Sequence, residues 1–114
     1  MSTYDLDGYE EDENYDEDVQ HAAESLTECV LHLLGTGERY RFSKWAVNKL
    51  REKHNLKPED VMLILAQGDF GHVENTGKMC ARGLIGRKKL TVVYISIVEE
   101  ARRDEADFDI LTAF

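Results

Sequence analysis

Residues 88–98 read "KKLTVVYISIV", and this stretch decides the fold class. Its β-branched and aromatic side chains fit a pleated, half-buried surface, which makes it the strongest strand signal in the chain. Before it come "DFGHVE" (69–74), the turn signal "NTG" (75–77) and "KMCARGLIGR" (78–87). After it, the polar connection "EEARRDEAD" (99–107) leads into "FDILTAF" (108–114), which alternates or runs apolar to its last residue. Four strands joined by short connections predict an antiparallel meander with helices on one face. The expected class is α+β, with helices followed by a four-stranded antiparallel sheet.

The first half supplies the helices. In "VQHAAESLTECVLHLLGTG" (19–37), Val19, Ala22, Leu26, Cys29, Val30, Leu33 and Leu34 recur at helical spacing, which predicts one helix ended by Gly35 and Gly37. Ser43 is an N-cap for "KWAVNKLREKHNL" (44–56), with Phe42 and Val47 placed as a hydrophobic staple and Asn55 as a left-handed stop. Pro58, the acids Glu59 and Asp60, an apolar block from Val61 to Leu65, and Gly68 mark a short third helix.

A chain of 114 residues has the length of one domain, and its net charge of −9 is unevenly spread. From Met1 to Glu28 there are eleven Asp or Glu and no Lys or Arg; from Cys29 to Phe114 twelve acids face fourteen bases. The stretch "DLDGYEEDENYDED" (5–18) has too little apolar area to offset the entropy of ordering. Residues 1–18 are therefore expected to be an acidic disordered arm, and 19–114 a single α+β domain. Asp5, Asp7, Glu10, Glu11, Asp12, Glu13, Asp16, Glu17 and Asp18 become partner-binding candidates, with Tyr4, Tyr9 and Tyr15 as anchors or as solvent-exposed rings.

Several chemistries are set aside. Cys29 and His32 stand three apart without a second ligand pair, and "DLDG" lacks the ligand series of a calcium loop, so no metal is expected. "GTGERYRF" lacks the context of a nucleotide site, and no cofactor is expected. No run approaches the length of a membrane span, and two distant cysteines do not suggest a secreted disulfide scaffold, so the expected location is cytoplasmic. Lys44, Lys49 and Arg51, with Arg82, Arg87, Lys88 and Lys89, either border one groove for a nucleic-acid backbone or form a solvated face.

Residues 40–114 resemble the small toxin-like domains related to BrnT and RelE, in an uncharacterised branch. The matching pieces are Ser43-Lys44-Trp45-Ala46, Glu59-Asp60-Val61 through Gly68, Ala81-Arg82-Gly83, Leu90-Thr91-Val92-Val93-Tyr94, and Ile110-Leu111-Thr112-Ala113. The resemblance implies a metal-independent ribonuclease, with Arg82 clamping phosphate, Thr112 hydrogen-bonding near it, and Arg51 as a further cation. Trp45 stands where the family has its histidine and cannot accept a proton. His54 lies two and a half turns on, on the opposite face; Tyr94 with Lys44 would be the remaining route to catalysis. The expected function is thus a non-catalytic binding or inhibitory module. It would contact a protein or nucleic-acid-processing complex through its acidic arm and basic groove, as suits a phage or mobile element. The alternative is an endoribonuclease of toxin–antitoxin type. A protein partner is expected, with RNA as a second ligand, no membrane, and a homodimer if the last strand lies at the sheet edge.

Overall fold

The computed structural model describes residues 3–6, 15–73 and 76–114. Strands β1 (Thr3–Leu6), β2 (Thr27–His32), β3 (Arg39–Ser43), β4 (Asp69–Val73), β5 (Met79–Ile85), β6 (Lys88–Ser96) and β7 (Phe108–Ala113) alternate with helices α1 (Tyr15–Glu24), α2 (Lys44–His54), α3 (Pro58–Ala66) and α4 (Glu100–Arg103). The strands form one mixed sheet in the order β1-β4-β5-β6-β7-β3-β2. The run β4-β5-β6-β7 is antiparallel and central. Beyond it, β3 lies parallel to β7 and carries β2 antiparallel on its far side; at the opposite edge β1 lies parallel to β4.

The α+β architecture thus differs from the four-stranded antiparallel sheet expected from the meander and from the BrnT/RelE resemblance. Strands precede and interrupt the helices, the sheet is mixed, and β7 is enclosed between β6 and β3. A second copy therefore has no free β7 edge to pair with; the sheet's edges are β1 and β2.

The largest local departure lies in 19–37. The helix ends at Glu24, and Thr27–His32 is a strand. The sequence carries two periods there. Cys29, Leu31 and Leu33 alternate toward the core, while Glu28, His32 and Leu34 face water. Leu34, which the helical stripe would bury, is 91% exposed. Phe42 and Tyr40 of β3 stand opposite Cys29 and Leu31, so tertiary pairing selects the two-residue period. Gly35 and Gly37 adopt positive φ in the β2–β3 turn, which is closed by Leu33 N–H to Glu38 O (2.8 Å), and do not terminate a helix.

The later helices follow their local signals. Ser43 Oγ accepts the Ala46 N–H at 3.0 Å, Asn55 is left-handed (φ 55°), and the Asp60 carboxylate accepts the Lys57 N–H ahead of Pro58. Successive strand residues face opposite sides. Tyr40, Phe42, Val92, Tyr94 and Ile110 pack with Leu50 of α2 and Val61, Ile64 and Leu65 of α3. Cys80, Val93 and Leu111 face the other way, under Val19 and Ala22 of α1 with Trp45 beside them. Helices therefore cover both faces. Burying one Leu, Ile or Phe contributes about 1.5–3 kcal/mol. Phe42, Leu50, Ile64, Leu65, Leu90 and Ile110 are all below 2% exposure on the α2–α3 side, so that face supplies most of the apolar stabilisation.

Two pieces of the expected arm belong to these elements. Thr3–Leu6 is β1, in register with Phe70–Val73, and Tyr15–Asp18 opens α1, where acidic residues favour the positive end of the helix dipole. Asp7, Glu10, Glu11, Asp12 and Glu13 lie outside the described residues, as does Tyr9.

Candidate functional site

Two arrangements stand out, one on each side of the sheet. The first is ionic. Arg41 and Asp109 are register partners on β3 and β7, both within 3% of full burial, and the guanidinium Nη1 meets Asp109 Oδ1 at 2.8 Å. Arg41 also donates to Thr27 Oγ1 (2.7 Å), to the Ala22 carbonyl (2.8 Å) and to the Ser25 carbonyl. The other Asp109 oxygen accepts from Arg102 at 2.6 Å, and Arg102 is chelated by Glu99. With Glu105 3.8 Å from Arg41 Nε, two cations and three anions tie α1, β3, β7 and α4 together. Nearby, Arg39 binds Asp107 through its backbone N–H (2.8 Å) and guanidinium (3.1 Å), and caps the Arg103 and Asp104 carbonyls. These side-chain hydrogen bonds, more than any other cause, hold the Asp107 carboxyl below its usual range. Every described buried side-chain nitrogen and oxygen has a hydrogen-bond partner. A group so fully satisfied has no valence left for a substrate.

The second arrangement is aromatic. Tyr40 stacks on Phe108 (5.0 Å between centroids), and Tyr94 meets both edge-on at 5.4–5.5 Å. With Leu33, Phe70 and Met79 they wall a cavity of about 370 Å³, at whose rim stand Thr36, Glu38 and His72. No lining residue belongs to a helix, so this is the part of the face that α2 and α3 leave uncovered. Burial is the main reason both phenols are pushed up, Tyr94 to about 12 and Tyr40 further; the Glu38 carboxylate adds to both shifts. Glu38 itself accepts from Thr36 Oγ1 (3.3 Å) and Tyr40 Oη (3.5 Å), and among the described residues no Lys or Arg pairs with it.

The residues expected to act together are distributed. Tyr94 lies in the aromatic face, whereas Arg82 and Thr112 sit on the other side of the pleat, opposite Thr91 and Val93. Arg82 is exposed and pairs with Asp69 (3.1 Å); Thr112 is buried, with its hydroxyl toward the Ala113 carbonyl. His54 Nε2 lies 3.0 Å from the Ala113 carbonyl, which can only accept, so that nitrogen carries the proton. Trp45, in the position of the family's histidine, stacks on His21 (5.6 Å) and carries the Lys49 ammonium 4.8 Å from its ring centroid.

The seven basic residues divide likewise. Lys49 turns to α1 and binds Asp18 at 3.0 Å. Lys44 is exposed at the start of α2, its N–H on the Leu26 carbonyl. Arg82 and Lys89 line a polar cleft of about 330 Å³ with Asp69 and Gln67. Arg87 and Lys88 adjoin Lys89 at the exposed β5–β6 turn. The His54–Ala113 contact and the Phe114–Thr91 backbone pair bring the end of α2 beside the start of β6, while the exposed Arg51 donates to Asn48 Oδ1 on its own helix (2.6 Å).

Among the described residues no three His, Cys, Asp or Glu side chains group as a metal site, and no helix is long and apolar enough to cross a membrane. Cys29 and His32 lie on a strand at opposite parity, and burial pushes the Cys29 thiol up. Arg41, Asp109, Glu38, Tyr40 and Phe108 carry the two arrangements and escape sequence reading. The available signal was a charge inside an otherwise apolar strand, in "RYRF" and "FDILTAF". Neither a family model, nor a curated protein, nor a solved structure matches the chain.

Proposed function

We propose that the chain is a non-catalytic binding module that presents its acidic N-terminal segment to a basic protein of a nucleic-acid-processing complex. The charge partition carries this reading: eleven acids and no Lys or Arg lie within the first 28 residues, ahead of a body of fourteen bases and twelve acids. Of that acidic charge, Asp18 is answered by Lys49 of the body. Arg39, Arg41 and Arg102 are engaged by Asp107, Asp109 and Glu99, and Arg82 pairs with Asp69. Asp7 follows directly from β1, whose last residue pairs with Val73 at the end of the sheet away from Lys88 and Lys89. An acidic segment that continues in sequence from β1, with exposed Arg87, Lys88 and Lys89 at the β5–β6 turn, suits a module that bridges a basic protein surface and a phosphate backbone. The separation of Tyr94 from Arg82 and Thr112 by the sheet supports binding over catalysis.

The test is capture from host extract, with bound proteins identified, using the full chain and a variant with Asp7, Glu10, Glu11, Asp12 and Glu13 replaced by Asn or Gln. The expected partner is lost from the variant and released from the full chain as salt rises toward roughly 1 M, where screening acts within about 3 Å. Equal capture by both proteins contradicts the reading. So does cleavage of RNA by the purified chain in chelator, abolished by Arg82→Ala, which would establish an endoribonuclease.

A further inference from the structure

Among the described acids, Asp18, Asp69, Glu99, Glu105, Asp107 and Asp109 each hold a Lys or Arg, whereas Glu38 holds none and lies at a cavity. Glu38 is partly exposed, and among the described residues has only the Thr36 and Tyr40 hydroxyls on its oxygen, at 3.3 and 3.5 Å. The same cavity is lined by Tyr40, Tyr94 and Phe108, three rings packed on one another. Aromatic faces carry the negative end of the ring quadrupole and attract cations, and the attraction grows when water is excluded. A carboxylate at the rim adds a full negative charge in a partly desolvated setting. Among the described residues no Lys or Arg lines the cavity, and His72 is the one basic side chain there.

Size and position agree with this chemistry. About 370 Å³ is at the small end of the roughly 300–1,000 Å³ range of small-ligand sites, which admits one alkylated ammonium group with its chain. Leu33, Phe70 and Met79 supply apolar contacts for methyl groups. Val73, Tyr94 and Phe108 mark one end of the sheet, and β1 ends there at Leu6, from which the chain continues into Asp7 and the acids beyond.

We propose that the Tyr40–Tyr94–Phe108 pocket is a binding site for an organic cation of the alkylated ammonium class, its head group against the three rings and its charge answered by Glu38. This site is separate from the acidic segment and does not rest on its role. The segment's partner is sought by capture, whereas the pocket is tested with a defined small molecule, so either can fail alone.

The full chain is titrated with choline and with its neutral isostere 3,3-dimethyl-1-butanol, following aromatic and backbone NMR shifts. Choline should shift the Tyr40, Tyr94 and Phe108 resonances with a millimolar or tighter dissociation constant, and the isostere should bind at least about 10-fold more weakly. Glu38→Gln should weaken choline about 5–10-fold while leaving the spectrum otherwise folded, and Phe108→Leu, which keeps apolar volume but removes a ring, should weaken it by a similar factor. A short peptide bearing trimethyl-lysine forms the second arm. Tighter binding of the peptide makes the source a modified protein, tighter binding of choline makes it a free metabolite, and both support the site. Equal affinity for choline and the neutral isostere, or no shift at the three rings up to about 10 mM of either cation, overturns the proposal.

Discussion

On one side of the sheet Asp109 is 2% exposed and gives each carboxylate oxygen to an arginine; at the aromatic cavity Glu38 is partly exposed and holds only two long hydroxyl contacts. Both acids belong to the segments around β3 and β7, within one domain, and differ in what completes them. Removing a charge from water costs several kcal/mol, which close, well-formed pairs offset. At Asp109 the chain itself supplies that compensation. At Glu38 the compensation is left to solvent or to a ligand. The contrast separates a charge cluster that fixes the fold from a carboxylate whose position serves binding.

The sharpest way to break this contrast is at the ionic cluster. Asp109→Ala leaves buried Arg41 with only the more distant Glu105, at 3.8 Å, and is expected to cost about 3–5 kcal/mol in urea unfolding. A loss below about 1 kcal/mol would mean that the cluster is no more structural than Glu38.

Next in size is an alkaline effect confined to the aromatic side. The Tyr94 phenol is pushed up to about 12, mainly by burial, so folding favours its neutral form. The stabilisation is whole below the unfolded tyrosine value of about 10 and disappears as pH rises through 12. Absorbance titration should therefore show Tyr94 ionising with the loss of tertiary structure, and Tyr94→Phe should move that loss to higher pH. Ionisation of Tyr94 near 10 in the folded chain would show the cavity to be open to water.

Ser43→Ala removes the acceptor of the Ala46 N–H and should cost about 1 kcal/mol, since the cap is fully buried where β3 meets α2. A smaller effect still is expected for Arg82→Ala. Its pair with Asp69 leaves both side chains nearly half exposed, at 44% and 47%, and such pairs are worth about 0–1 kcal/mol. A larger loss would put Arg82 among the structural charges.

What could be read from the sequence follows the range of the forces involved. The second and third helices are announced by Ser43, Asn55, Pro58 and Gly68, whose preferences act within a turn of the chain. The strands β4 to β7 are announced by period and by turn residues. β2 was hidden because Cys29 and Leu33 fit both a helical and a strand period, and only the neighbouring β3 decides between them. β3 in turn depends on β7, and Arg41 and Asp109 meet across 68 positions of sequence. The cavity is hidden for the same reason: Glu38 and Tyr40, Tyr94, and Phe108 come from three separate segments that no local pattern connects. The basic residues could be counted but not placed, since the partner of Lys49 is in α1 and that of Arg82 in β4.

The most direct measurement is the unfolding free energy of Glu38→Gln, taken beside the unsubstituted chain. If Glu38 is held for a ligand, the neutral amide keeps the two hydroxyl contacts and stability changes by no more than about 0.5 kcal/mol. A loss of several kcal/mol, on the scale expected for Asp109→Ala, would make Glu38 part of the framework and contradict the division between the two regions.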